Sequence, residues 1–217
     1  MYFIIANSLR PLHNCNHIDD MRISYVPEGW SFTELKNIYE YIDQGKFLIN
    51  IELPTNNPEF KIFKCPKTNK LSANFILLKT RRFLSEPKTW EYIINSGAEI
   101  NDIYTADLIL NRVIEMNWDA VLKYLLDIME KNNVIKFSYK SKHIIDCIEH
   151  HKYDLVKFIY VSTHIINCIK CHKNNMVLIF LNKINICKIN YFYLNKWYKQ
   201  AINSGNHEIA KYINSLT

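Results

Sequence analysis

Apolar positions follow two regimes along this chain. Up to about residue 85 they come in short runs and alternations, at Tyr2–Ala6, Phe47–Leu53, Phe60–Lys64 and Asn74–Leu78. That spacing predicts strands, with Cys65-Pro66-Lys67-Thr68-Asn69 supplying a turn between the last two. Leu53 precedes Pro54 and is held extended by it. One helix interrupts the strands: Leu35, Ile38, Tyr39 and Ile42 share a face at three- and four-residue spacing. Pro27 and Gly29 predict a turn ahead of it, Ser31 or Thr33 its cap, and Gly45 its left-handed stop. Beyond Ser85-Glu86-Pro87 the spacing turns helical throughout. The expected helices are Thr89–Ser96, Asp107–Asn117, Asp119–Lys131, Lys142–His151, Tyr153–Tyr160, Thr163–His172, Asn175–Ile184, Tyr198–Ser204 and His207–Leu216. The pattern predicts a small α+β N-terminal domain over 1–85 and an all-α part over 86–217.

The helical part repeats a phrase: Lys123-Tyr124-Leu125, Lys157-Phe158-Ile159 and Lys211-Tyr212-Ile213, with worn copies at Met176–Leu181 and Trp90–Ile94. The copies fall at positions 91, 123, 157, 179 and 211, in steps of 32, 34, 22 and 32. A period near 33 resembles the ankyrin repeat, a β-turn followed by two helices. Ser96-Gly97-Ala98-Glu99-Ile100-Asn101 is similar to the end of an ankyrin unit, and Gly205 falls between the last two helices as it does in that family. The resemblance implies an ankyrin-like helical-repeat solenoid of about four helix pairs, whose apolar sides are covered by stacking neighbours. On that expectation the lysines lie on the polar side, and Tyr124, Phe158, Phe180 and Tyr212 form the core between repeats. The short step of 22 implies a unit without its β-hairpin arm. No Thr-Pro-Leu-His opening occurs anywhere, and most inter-repeat glycines are missing.

A second resemblance covers about residues 22–85. The ordered segments Val26–Thr33, Ile51–Pro54, Asn57–Lys61 and Ala73–Leu78 resemble the N-terminal region of the ankyrin-repeat protein family of mimivirus-type giant viruses. Glu28 stands where that family has glycine, and Trp30-Ser31 where it has Leu-Tyr. The resemblance brings no catalytic residues. It implies an N-terminal cap of unknown activity; together with the repeats, the family resemblance implies a protein–protein interaction scaffold that binds a host or viral protein through the concave face of its first helices and its loop tips.

Composition narrows the alternatives. With 48% hydrophobic and 22% charged residues the chain is globular rather than disordered. No apolar run approaches the length of a membrane span, and the first residues lack a basic signal segment. The expectation is therefore an intracellular protein with reduced thiols and no membrane partner, which with the viral resemblance implies the host cytoplasm; a monomer is expected. Within 131–199, twelve lysines face only Asp146, Glu149 and Asp154, a net +9 in a chain of +6. With tyrosines interleaved, that stretch is a candidate nucleic-acid surface, but it contains no arginine, the better reader of bases and phosphates.

Two patterns raise the question of a metal or cofactor. Cys168-Ile169-Lys170-Cys171-His172 spells the c-type haem attachment motif inside an expected helix, without the secretion context that haem attachment needs. Cys147 and His150, with Cys168 and Cys171, form two i,i+3 pairs of zinc-ligating type. Buried cysteine also packs as a small hydrophobe, and the expectation is no cofactor and no metal. His13, Cys15 and His17 beside Asp19 and Asp20 are the nearest approach to a reactive cluster. No phosphate loop, nucleophile elbow or His-Glu-x-x-His motif occurs, so an enzyme or small-ligand site in the N-terminal domain is the alternative rather than the expectation.

Overall fold

The computed structural model describes residues 1–7, 23–64, 71–135, 152–184, 189 and 191–216, with the backbone alone at 23–29 and 152–160. The chain divides into two compact units, Met1–Glu99 and Ile100–Thr217.

The first unit is built on five strands: β1 Tyr2–Ala6, β2 Ile23–Glu34, β3 Phe47–Glu52, β4 Ile62–Lys64 and β5 Leu71–Phe83. All pairings are antiparallel, in the order β2-β1-β3-β5-β4. A further pairing of β2 with β5 closes β1, β2, β5 and β3 into a barrel-like ring. Trp30, Phe32, Ile49, Ile51, Ala73 and Ile76 fill its interior. Alternation along β1 sends Tyr2, Ile4 and Ala6 toward that cluster and buries Phe3 and Ile5 on the other side.

The structure departs from three expectations. Pro27–Gly29 is not a turn ahead of a helix but lies within the twelve-residue strand β2. Proline has no N–H to give a ladder, and the pairing shifts register between Tyr25 and Trp30. Ser31 and Thr33 are strand residues opposite Ser72 and Phe3, and the segment Leu35–Gln44 is a 3-10 helix whose cap, Glu34, makes no side-chain cap bond. Its apolar face does bury Ile38, Tyr39 and Ile42 as the spacing predicts. Gly45 is extended, with φ −173°, so no left-handed stop is needed there. Its requirement is room: a Cβ would lie 2.1 Å from the Ala6 carbonyl carbon, where Lys46 N–H donates to Ala6 O at 3.0 Å. Gly45→Ala is expected to cost ~1–3 kcal/mol by forcing β1 away, read as a lower thermal midpoint.

Helix α1, Pro87–Asn95, belongs to this first unit. Proline in its first turn loses no helix bond. Trp90 is fully buried, and its Nε1–H donates to Leu84 O at 2.6 Å. The Tyr39 hydroxyl donates to Ala98 O at 2.9 Å, which ties in the turn after α1. These bonds hold α1 and the turn after it within the first unit, which runs to Glu99.

The second unit holds α2 Ile103–Glu115, α3 Asp119–Lys131, α4 Lys152–Lys170, α5 Asn174–Lys183, α6 Tyr191–Asn203 and α7 His207–Asn214. They pack as pairs, α2 with α3, α4 with α5 and α6 with α7. Neighbouring pairs touch in two layers: α4 lies against both α2 and α6, and α5 against α3. Among the described residues, no helix is long and apolar enough to cross a membrane.

Two helices expected at Tyr153–Tyr160 and Thr163–His172 are one, Lys152–Lys170. No glycine or proline interrupts Val161-Ser162, and Ser162 is buried, accepting from Trp197 Nε1–H at 2.9 Å instead of capping a new helix. The step of 22 follows: the copy at 157 sits on α4 and the copy at 179 on its partner α5. Helix Lys142–His151 lies outside the described residues, as does the Phe158 side chain. In the repeated phrase Lys123 and Lys211 are exposed as expected, but Tyr124 and Tyr212 are only half-buried. The position after them, Leu125 and Ile213, is the one in the core, with Phe180 the aromatic that is fully buried.

Candidate interaction face

The helix pairs are closed by one device used repeatedly. Asn117, His172 and Gly205 each take a left-handed conformation, with φ 56°, 53° and 70°. In each turn that residue's N–H bonds the carbonyl three back, and the next N–H bonds the carbonyl five back: Trp118 to Val113, Lys173 to Cys168 and Asn206 to Ala201. This is the Schellman arrangement, which satisfies the helix's last carbonyls. Gly97 and Asn133 end α1 and α3 in the same way. Asn and His take the places that the missing glycines would hold, since asparagine and histidine enter the left-handed region more readily than most residues. The repeat wording marks Gly97 and Gly205 in the sequence and misses Asn117, Asn133 and His172. An Asn just after an apolar helical run is the signal that finds the first two of these.

Polar side chains join the turns of successive pairs. Lys173 Nζ donates to Ile114 O at 2.6 Å, Glu115 O at 3.2 Å and Asn117 Oδ1 at 2.6 Å, a cation on the carbonyl end of α2. Asn117, Asp119, His172, Lys173, Asn174, Asn175 and Met176 line an open cleft of about 240 Å³ there. His172 Nε2 lies 2.9 Å from Ser204 O. Buried Asn206 donates to Asn174 Oδ1 at 2.8 Å, and Asn174 donates to Glu208 Oε2 at 2.7 Å.

Cys147 and His150 lie outside the described residues, as do His13, Cys15, His17, Asp19 and Asp20. Cys168 is buried in α4, and burial pushes its thiol up to about 12, away from the thiolate that binds metal. Cys171 is exposed, one residue past the end of α4. The two therefore do not share a helix face, contrary to the helical reading of the Cys-x-x-Cys-His run. Among the described residues, no group of three or more His, Cys, Asp or Glu side chains is arranged to hold a metal ion. His164, on α4, is buried against the Phe180 ring of α5 and beside the Asp107 carboxylate of α2. Burial pulls its pKa down to about 4 against the opposing pull of the Asp107 carboxylate.

Counting back from each left-handed residue shows a face common to the three first helices. Positions thirteen, nine, six and two before Asn117 are Tyr104, Leu108, Asn111 and Glu115 on α2. On α6 the same positions before Gly205 are Phe192, Lys196, Lys199 and Asn203. On α4, between them, the last three are Thr163, Ile166 and Lys170. Leu108 and Ile166 are half-buried and the others exposed, Tyr104 at 72% and Phe192 at 63%. The spacing is one stripe along each helix, and α4, which carries the middle stripe, packs against both α2 and α6. From Val161 to the end of α6 the sequence contains no Asp or Glu.

A small closed sheet unit followed in sequence by packed helix pairs with recurrent turns defines the class of fold. Comparison with known proteins narrows that class. A protein of Acanthamoeba polyphaga mimivirus named as ankyrin repeat protein R868 is 31% identical over 111 residues, 46% of this chain and 55% of its own length. Ankyrin repeat protein L100 of the same virus is 38% identical over 91 residues, 42% of this chain and 14% of its own length. The mimivirus protein named Uncharacterized protein R869 is 30% identical over 115 residues, 46% of this chain and 80% of its own length. The chain belongs to the ankyrin-repeat protein family of mimivirus. It spans about half the length of R868 and a much smaller part of L100. No family model and no solved structure matches it.

Proposed function

We propose that this chain is a non-enzymatic protein-interaction scaffold of a giant virus, its helix pairs forming a degenerate ankyrin-like solenoid. It acts as a monomer in the host cytoplasm, and its partner is a host or viral protein. The observation that carries this reading is the exposed stripe repeated on α2, α4 and α6. Apart from half-buried Leu108 and Ile166 those residues are exposed, and Tyr104 and Phe192 are the large aromatic side chains among them. Exposed aromatics on a rigid array are the usual anchors of a protein interface. The family names of the mimivirus relatives support an interaction role in general terms.

The test is affinity capture from infected host cells with the full chain, beside the double variant Tyr104→Ser/Phe192→Ser. Both side chains are exposed, so the variant is expected to keep its thermal midpoint within about 0.5 kcal/mol of stability. The expected result is a partner protein held by the parent and lost by the variant. A partner held equally by both moves the interaction off this face.

A further inference from the structure

We propose that the α4–α6 end of this face takes an acidic protein segment carrying an apolar or aromatic anchor. The inference deepens the interaction reading above and rests on it. Between Asp154 and Glu208 the chain has seven lysines and no carboxylate side chain. Two of the seven are already engaged: Lys173 holds the carbonyl end of α2, and Lys183 pairs with Asp127 on α3. Lys157 and Lys188 have no described side chain. Lys170, Lys196 and Lys199 remain, all exposed, all on the common stripe, and none with a carboxylate partner among the described residues. Exposed cations without counter-charges are an unmatched potential, and a complementary partner gains both encounter rate and orientation from it.

The apolar half of the recognition lies beside the charge. Tyr191 is 66% exposed and Phe192 63% at the start of α6, while Ile202 is 43% exposed near its end. An acidic segment with one or two large apolar side chains would match cation and anchor at once. A nucleic acid matches the face less well. The face has no arginine on α4 or α6 to fork onto phosphate or a base edge.

The experiment is a selection of a random peptide library on the immobilised full chain and, in parallel, on Lys196→Glu/Lys199→Glu. Both lysines are exposed, and circular dichroism and the thermal midpoint establish that the variant is folded. The expected parent pool is enriched in Asp and Glu with an aromatic or leucine nearby, and the variant pool loses the acidic bias. A selected acidic peptide is expected to bind the variant on the order of tenfold more weakly, and the parent more weakly at high salt. Pools of the same composition, a parent pool with no enrichment, or displacement of the selected peptide by oligo-dT at stoichiometric amounts would each overturn the proposal. If the pools show no acidic bias while cellular capture still depends on Tyr104 and Phe192, the inference alone falls. If capture is independent of the face, the reading beneath it falls as well.

Discussion

Trp197→Ala is expected to remove ~3–5 kcal/mol of stability from the second unit. Trp197 is fully buried on α6, and its Nε1–H donates at 2.9 Å to the hydroxyl of Ser162 on α4, itself buried. The substitution empties the largest side chain between two neighbouring helix pairs and leaves a buried hydroxyl without its donor. Trp197→Phe separates the two effects. It keeps most of the ring volume and loses the bond, and about 1–3 kcal/mol is expected for the orphaned hydroxyl. Exposed Tyr191→Ala on the same helix serves as the control, with a change inside about 0.5 kcal/mol. Urea titration of the three variants reads all of this. A Trp197→Ala midpoint equal to the parent's would mean that α4 and α6 do not depend on each other.

The second large effect is a loss of stability in mild acid caused by His164. Its ordinary pKa of 6.5 falls to about 4 in the folded chain, where burial disfavours the imidazolium and outweighs the attraction of Asp107. The sign follows from where the proton binds. Between about pH 6.5 and 4 the unfolded chain takes up a proton that the folded chain refuses, so acid favours unfolding. The full contribution is present above pH 6.5 and is lost as pH falls toward 4. At about 1.4 kcal/mol per pKa unit, the loss by pH 4.5 is about 2–3 kcal/mol. Unfolding free energies at pH 7.5 and pH 4.5, for the parent and for His164→Leu, measure it. The leucine variant is expected to lack that part of the pH dependence, and an unchanged slope would place the acid sensitivity elsewhere.

Several elements of the fold are legible because local signals agree with the packing that forms. β1 and α3 match their apolar patterns, and Gly97 and Gly205 stand at left-handed turns where the repeat wording puts them. The failures have physical causes. Pro27 and Gly29 read as punctuation, but a long antiparallel strand absorbs them through a register shift, which depends on β5, forty residues away and more. Gly45 reads as a helix stop, whereas Ala6 of the neighbouring strand is what excludes a side chain there. The continuous helix α4 splits in two when the repeated phrase is aligned by wording rather than by turn residues. The candidate face is legible only in outline. Its charge is visible as a lysine bias, but the engagement of Lys173 and Lys183 by neighbouring helices is not.

The central claim is that the helix pairs of residues 100–217 lean on one another through their turns. A NOESY spectrum of the full chain with side-chain amides and methylenes protonated tests it most directly. The account predicts cross-peaks between Lys173 and Asn117, between His172 and Ser204, and between Asn174 and Asn206, pairs held at 2.6, 2.9 and 2.8 Å. Intact helices with all three cross-peaks missing would show pairs that fold without touching their neighbours, and would contradict it.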